Sequence, residues 1–141
     1  EAVAIGVVRT PSKAATPQRL AAIHREFQEL IEEHRPDVVA IERVFFQVNA
    51  RTAMGVAQVS GLAMAVGAAA GAEVVEYTPN QVKEAVAGWG SATKEQMQRM
   101  VQSLLSLPDL PSPPDAADAA AVALCHLARA STRHLEKVFK V

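Results

Sequence analysis

Val38-Val39-Ala40-Ile41-Glu42-Arg43-Val44-Phe45-Phe46-Gln47-Val48-Asn49 is the stretch whose reading decides the fold. Its opening apolar residues, β-branched in the main, read as a short buried strand. The strand ends on a carboxylate, Glu42, followed by Arg43 and two consecutive aromatics. Buried, charged and unpaired, such a carboxylate costs several kcal/mol as an order of magnitude. A cation, an arginine or water must therefore meet it. Arg43 projects to the opposite face if the strand continues, so it is not the obvious partner. A solvated strand-end glutamate is the plain alternative. A second acidic pair far downstream, Asp115 and Asp118, favours the sharper reading.

Outward from this stretch, the chain alternates. Ala2 to Val8 reads as a strand by composition. Pro17 suits the first turn of a helix capped by Thr16, in which Leu20, Ile23, Phe27, Leu30 and Ile31 recur at helical spacing until Pro36 closes it. After Asn49 a small-residue helix runs to about Ala70, with Gly71 as its C-cap. Its many Ala, Gly and Ser residues admit another backbone, from its own core or a second subunit. Glu73 to Tyr77 is a further strand, and Thr78-Pro79 opens a helix through Val82, Ala85 and Val86. Gly88-Trp89-Gly90-Ser91 is a turn. A second amphipathic helix carries Met97, Met100, Val101, Leu104 and Leu105. Pro108, Pro111, Pro113 and Pro114 form a stiff linker, and Asp115 opens the last core helix. Strands alternating with helices predict a parallel α/β core whose ligands sit beyond the carboxyl ends of the strands, where Glu42 falls. Residues 1–130 are expected to form one domain, with 131–141 a helix extension or tail.

The composition excludes several classes. The chain has 141 residues, half of them apolar and 21% charged, an ordinary globular balance. No apolar run is read as reaching transmembrane length, because Gln58, Ser60 and small residues interrupt the longest, and no membrane partner is expected. A single cysteine, Cys125, forms no internal disulfide and fits a reducing cytoplasm. A formal charge of −1 exerts no global pull on nucleic acid, so any such binding needs a local basic surface.

Asp115-Ala116-Ala117-Asp118 carries the chemistry. Residues three apart share a helix face, so both carboxylates can project toward one point. An N-cap role for Asp115 after Pro-Pro stands as the alternative. Asp118 precedes a stretch that is apolar nearly all round, Ala119 to Cys125, which predicts a buried helix. With no Lys or Arg nearby in sequence, a divalent cation is the economical partner for the two acids. Oxygen-only ligands select Mg²⁺ or Mn²⁺. Zinc has no paired Cys or His spacing to support it: His24, His34, His126 and His134 are scattered, and Cys125 has no base beside it. Carboxylates that hold two Mg²⁺ ions roughly 4 Å apart are suited to cutting phosphodiesters.

At this point four segments together resemble the RuvC family of Holliday junction resolvases: Ala40-Ile41-Glu42-Arg43-Val44-Phe45, Gln81-Val82-Lys83, Gly90-Ser91-Ala92-Thr93-Lys94, and Asp115-Ala116-Ala117-Asp118-Ala119. They occur in the family's order and span almost the whole chain. The resemblance implies an α/β, ribonuclease H-like fold, a mixed sheet flanked by helices, in a homodimer. It also implies Mg²⁺-dependent paired nicking of four-way DNA junctions, with Mn²⁺ as substitute, during recombination and repair in the cytoplasm, in partnership with a branch-migration helicase. Glu42, Asp115 and Asp118 would be the metal-binding catalytic acids. Lys83 and Lys94 would lie by the scissile phosphate, Phe45 near the open centre of the junction with Phe46 beside it, and the small-residue helix would form much of the dimer interface.

The family also carries a first strand with Gly-x-Asp-Pro-Gly, whose aspartate completes the acidic set, and this motif does not occur here. The chain starts at what resembles the family's third strand. An upstream hairpin with an Asp-Pro-Gly turn is therefore expected in the natural protein, and residues 1–141 alone are expected not to cut junctions. Two rival classes stand beside the nuclease. One is a noncatalytic nucleic-acid-binding or scaffold domain of the same fold. The other is a phosphotransfer domain, against which the lack of a glycine-rich phosphate loop counts.

Overall fold

Helix boundaries follow local chemistry closely in the computed structural model, which describes residues 1–43 and 50–138, with side chains described for 1–43 and 52–131. The elements run α1 (Thr16–His34), β1 (Val38–Glu42), α2 (Ala50–Ala69), β2 (Glu73–Tyr77), α3 (Pro79–Ala87), α4 (Lys94–Leu104) and α5 (Pro114–Val138). The chain divides into two compact units, Val8–Glu76 and the union of Glu1–Val7 with Tyr77–Val141.

In the first unit, α1 packs on α2, and α2 lies against β1. Thr16 is not the cap of α1. The N-cap is Ala15, whose carbonyl accepts the first helical bond from the Arg19 amide at 3.1 Å, so Thr16 already has helical geometry and its hydroxyl serves no cap. At the other end Arg35 turns left-handed (φ 43°) and its N–H returns to the Ile31 carbonyl at 2.8 Å, ahead of Pro36. The end of α2 is closed by Gly71 at φ 83°, a conformation that only glycine adopts without strain, as the sequence predicts.

β1 and β2 pair as the only sheet among the described residues. The Glu73 amide donates to the Asp37 carbonyl at 2.9 Å where both strands begin. Arg43 Nε lies 3.9 Å from Glu76 Oε1 where both approach their ends. Like ends therefore meet, and the pair is parallel. Three expectations are corrected here. Ala2 to Val8 is not a strand: it has no ladder partner among the described residues, and Val3 is 85% exposed. β1 is half-buried rather than buried, because the two-stranded sheet covers it incompletely. Finally, Thr52–Ala69 within α2 is long and apolar enough to cross a membrane, with mean hydropathy 1.4. Gln58 and Ser60 interrupt the run without offsetting its many Ala, Val and Met residues.

Gly67 determines how closely α2 approaches the sheet. A Cβ added there would stand 2.8 Å from Val39 Cγ2 and 3.2 Å from Val39 Cβ. The bare backbone of one helical turn thus rests on the strand that ends in Glu42.

In the second unit, α3, α4 and α5 pack on one another in all three pairings. Alanines make this possible: Ala116, Ala117 and Ala121 are 1–2% exposed and let the neighbouring helices close on α5. Val101 of α4 and Cys125 of α5 are the largest fully buried side chains of the core. Each of α3 and α4 opens with a capping box. The hydroxyls of Thr78 and Thr93 accept from the amides of Gln81 and Gln96, whose side chains accept in return from the Thr78 and Thr93 amides. Gly88 ends α3 at φ 87°. The proline-rich run leads to α5, which runs to Val138.

Candidate functional site

The sequence segments that stand out resolve into supporting and presented residues. In Gln81-Val82-Lys83, Gln81 completes a capping box and its carbonyl accepts a bond from the Cys125 thiol at 3.5 Å. Val82 is 5% exposed, and Lys83, next in sequence, is half-buried. In Gly90-Ser91-Ala92-Thr93-Lys94, Ala92 is 1% exposed and anchors the segment in the core. Thr93 caps α4, and Lys94 is therefore its first residue.

Lys94 supplies what the sequence did not reveal. Its Nζ lies 3.2 Å from Asp118 Oδ2, across 24 positions of chain. No Lys or Arg is near Asp118 in sequence, but one is near it in space. Sequence distance is not spatial distance once α4 folds against α5. Asp118 is also not deeply buried: its side chain is 45% exposed and that of Lys94 is 69% exposed. The stretch from Ala119 to Cys125, expected to be buried, is buried on one face only: Ala121, Val122 and Cys125 face the core, whereas Ala119 and Ala123 are exposed. An ion pair this exposed contributes at most about 1 kcal/mol to stability. Asp115 is the second residue of α5, which begins at Pro114, and is not its N-cap.

Glu42 is exposed at the carboxyl end of β1, the position where parallel α/β sheets present ligand-binding residues. Arg43 is directed to Glu76 of β2 and not to its neighbour. Phe45 and Phe46 lie outside the described residues.

Two further groups have structural roles. His126 Nδ1 lies 2.9 Å from the Tyr77 hydroxyl, so the histidine has a local partner, as expected for a helix-face residue. The Cys125 thiol is raised above its ordinary pKa by burial, against a smaller opposing pull from Arg129. It stays protonated at neutral pH and is a poor nucleophile.

The donor set suits a hard cation. Asp115 and Asp118 offer carboxylate oxygens from one helix face, and Mg²⁺ characteristically takes one or two carboxylates while keeping waters or substrate phosphate. Among the described residues no three Asp, Glu, His or Cys side chains are gathered closely enough to hold a metal ion together.

Comparison with known proteins is decisive about kinship. Residues 1–126 match the family model described as crossover junction endodeoxyribonuclease RuvC. The RuvC of Alkaliphilus metalliredigens is 48% identical over 136 residues, covering 96% of this chain and 81% of the relative. That of Salinispora arenicola is 53% identical over 131 residues, covering 93% and 75%. Among solved structures, Thermus thermophilus RuvC superposes with a TM-score of 0.81 at 36% identity, covering 90% of this chain and 76% of the other. The same protein in complex with a Holliday junction substrate gives 0.80 at 33% identity, covering 90% and 77%. The ribonuclease H-like fold expected from the sequence is thereby shown, and the chain belongs to the RuvC family of crossover junction endodeoxyribonucleases.

Proposed function

We propose that this protein is a structure-selective endonuclease that resolves four-way DNA junctions by paired phosphodiester hydrolysis in recombination and repair. The observation that carries the reading is the Lys94–Asp118 pair beside Asp115: a lysine and two carboxylates presented together on solvent-facing turns of α4 and α5. A purely structural bridge at this exposure would add almost nothing to stability, whereas a cation beside an acidic pair suits an anionic substrate.

In this reading, which rests on the family's acidic motifs, Glu42, Asp115 and Asp118 would hold a divalent cation, Mg²⁺ with Mn²⁺ as substitute. When bound, the ion supplies Lewis-acid activation of the scissile phosphodiester and a steadier nucleophilic water. The chain's own residues do the rest. Lys94 offsets the charge of Asp118 before substrate arrives, and its ammonium is already beside the acids when a phosphate enters. Lys83, half-buried on α3, contributes a second positive charge along the strand. Phe45, with Phe46, meets the open centre of the junction. Water adds to phosphorus as one P–O ester bond breaks, and the departing oxygen takes up a proton to balance the one the water gives up, leaving a phosphate monoester on one strand end and a hydroxyl on the other. Met54 and Val56, 58% and 53% exposed on apolar α2, support a homodimer assembled through that helix. The cytoplasm, where the chromosome and a branch-migration helicase would meet it, is the fitting compartment.

Cleavage of a synthetic four-way junction and of a linear duplex of the same arms, in Mg²⁺ and in EDTA, tests the reading. Metal-dependent, symmetric nicking of the junction alone is the expected result. Junction binding without cleavage by the full-length protein would instead establish the scaffold reading. Lys83→Ala is expected to weaken junction binding alike across arm sequences and to lower the salt slope of log K by about one unit. An unchanged slope in a salt titration would remove Lys83 from the DNA surface.

A further inference from the structure

Trp89 has no role in the reading above and is 47% exposed, although an indole is among the costliest side chains to leave in water. It is the chain's only tryptophan. The segment that displays it is held at both ends. Gly88 terminates α3 at φ 87° and its N–H returns to the Glu84 carbonyl at 3.0 Å. Downstream, Ala92 is 1% exposed in the core and Thr93 is tied into a reciprocal capping box. Between these anchors Trp89 is presented on a short, fixed turn.

The turn leads directly into Lys94, which touches Asp118. Trp89 and Lys94 are five residues apart. At about 3.4 Å of chain per residue, their Cα atoms lie within about 17 Å of one another. The phosphates of one DNA strand advance about 3.4 Å each along the duplex axis and lie farther apart than that along the strand itself, so that span is at most about five nucleotides. A strand whose phosphate meets Lys94 therefore brings its near nucleotides within reach of the indole. The charge beneath the turn indicates which part of the nucleotide is met. A Cβ at Gly90 would stand 3.8 Å from a Glu84 carboxylate oxygen, so the turn has an acid under it that repels phosphate.

We infer that Trp89 is a further DNA-contacting residue, which stacks its indole on an unpaired base near the phosphate held by Lys94. This rests on the junction-nuclease reading. An intact duplex shows only base edges, whereas a four-way junction can offer unstacked faces at its crossover, and stacking tolerates any base.

The test uses the full-length protein with Trp89 as its fluorescent probe, any tryptophan outside residues 1–141 being replaced by Phe. Titration with a four-way junction is expected to quench Trp89 fluorescence, and a linear duplex of the same arms to leave it largely unchanged. Trp89→Ala is expected to weaken junction binding in a gel-shift assay by about tenfold, with Trp89→Phe retaining most of the affinity. Equal quenching by duplex and junction, or wild-type affinity in Trp89→Ala, overturns the inference and leaves the nuclease reading intact. A changed oligomeric state of Trp89→Ala by light scattering, with binding per dimer unchanged, also overturns it, because Trp89 would then belong to a protein interface. Absence of junction binding by the wild-type protein overturns both.

Discussion

Glu42→Gln and Asp118→Asn, each in the full-length protein, are expected to reduce junction cleavage by about a thousandfold while leaving junction affinity within a few-fold of wild type. Each substitution keeps the shape of the side chain and removes one negative charge. A carboxylate that holds a catalytic cation supports several kcal/mol of transition-state stabilisation, and about 1.4 kcal/mol is a factor of ten in rate. Binding should respond differently, because it draws on lysines and apolar contacts. Asp118→Asn in particular frees Lys94 from its ion pair at 3.2 Å, which raises the local positive charge and favours DNA slightly. Folding should hardly change: the pair is exposed on both sides and contributes at most about 1 kcal/mol. Single-turnover cleavage, gel-shift affinity and thermal unfolding of each variant separate the three effects. A variant that cleaves within tenfold of wild type would remove that acid from the metal site. A variant that loses affinity and cleavage in step would show it to be a DNA contact or a folding residue instead.

A contrast of two glycines in α2 is the second large expected effect. Gly61→Ala adds a methyl where nothing lies within 4 Å, so it should stabilise the helix by about 0.5–1 kcal/mol through reduced backbone freedom in the unfolded chain. Gly67→Ala gains the same propensity but places its Cβ 2.8 Å from Val39 Cγ2. Valine is stiff at χ1, and its Cβ is itself only 3.2 Å away, so the methyl cannot simply swing aside. Either α2 lifts from β1 or the strand moves, a strain of about 1–3 kcal/mol that outweighs the propensity gain. Thermal or denaturant unfolding should therefore shift in opposite directions for the two variants, with light scattering confirming an unchanged oligomeric state. The same displacement would disturb Glu42, three residues beyond Val39 on β1. Gly67→Ala at least as stable as Gly61→Ala would mean that α2 does not rest on the strand as closely as described.

Much of the architecture was legible because the signals are local. Pro36, Gly71, Gly88 and the Thr78-Pro79 dipeptide mark helix ends through backbone geometry that depends only on neighbouring residues, and the helices stop or start beside them. The Thr-x-x-Gln pattern at Thr78 and Thr93 is equally local and marks both capping boxes. β1 and β2 followed from runs of β-branched residues bounded by helix breakers, and the acids stood out because carboxylates beside apolar runs require an explanation.

What the sequence determined by itself is thus the order and limits of the elements and the chemical types at the candidate site. Tertiary structure alone decided which groups meet. Ala2 to Val8 has the composition of a strand, but a strand exists only with a hydrogen-bonded neighbour, and none pairs with it among the described residues. The α5 stretch looked apolar all round. Its alanines bury only where α3 and α4 press on them, and that leaves Asp118 at the rim. Lys94 and Asp118, like Tyr77 and His126, are far apart in the chain, and no local pattern links them. The difference is physical. Backbone dihedrals and caps are set by a few adjacent residues, whereas burial and charge pairing depend on the packing of whole helices.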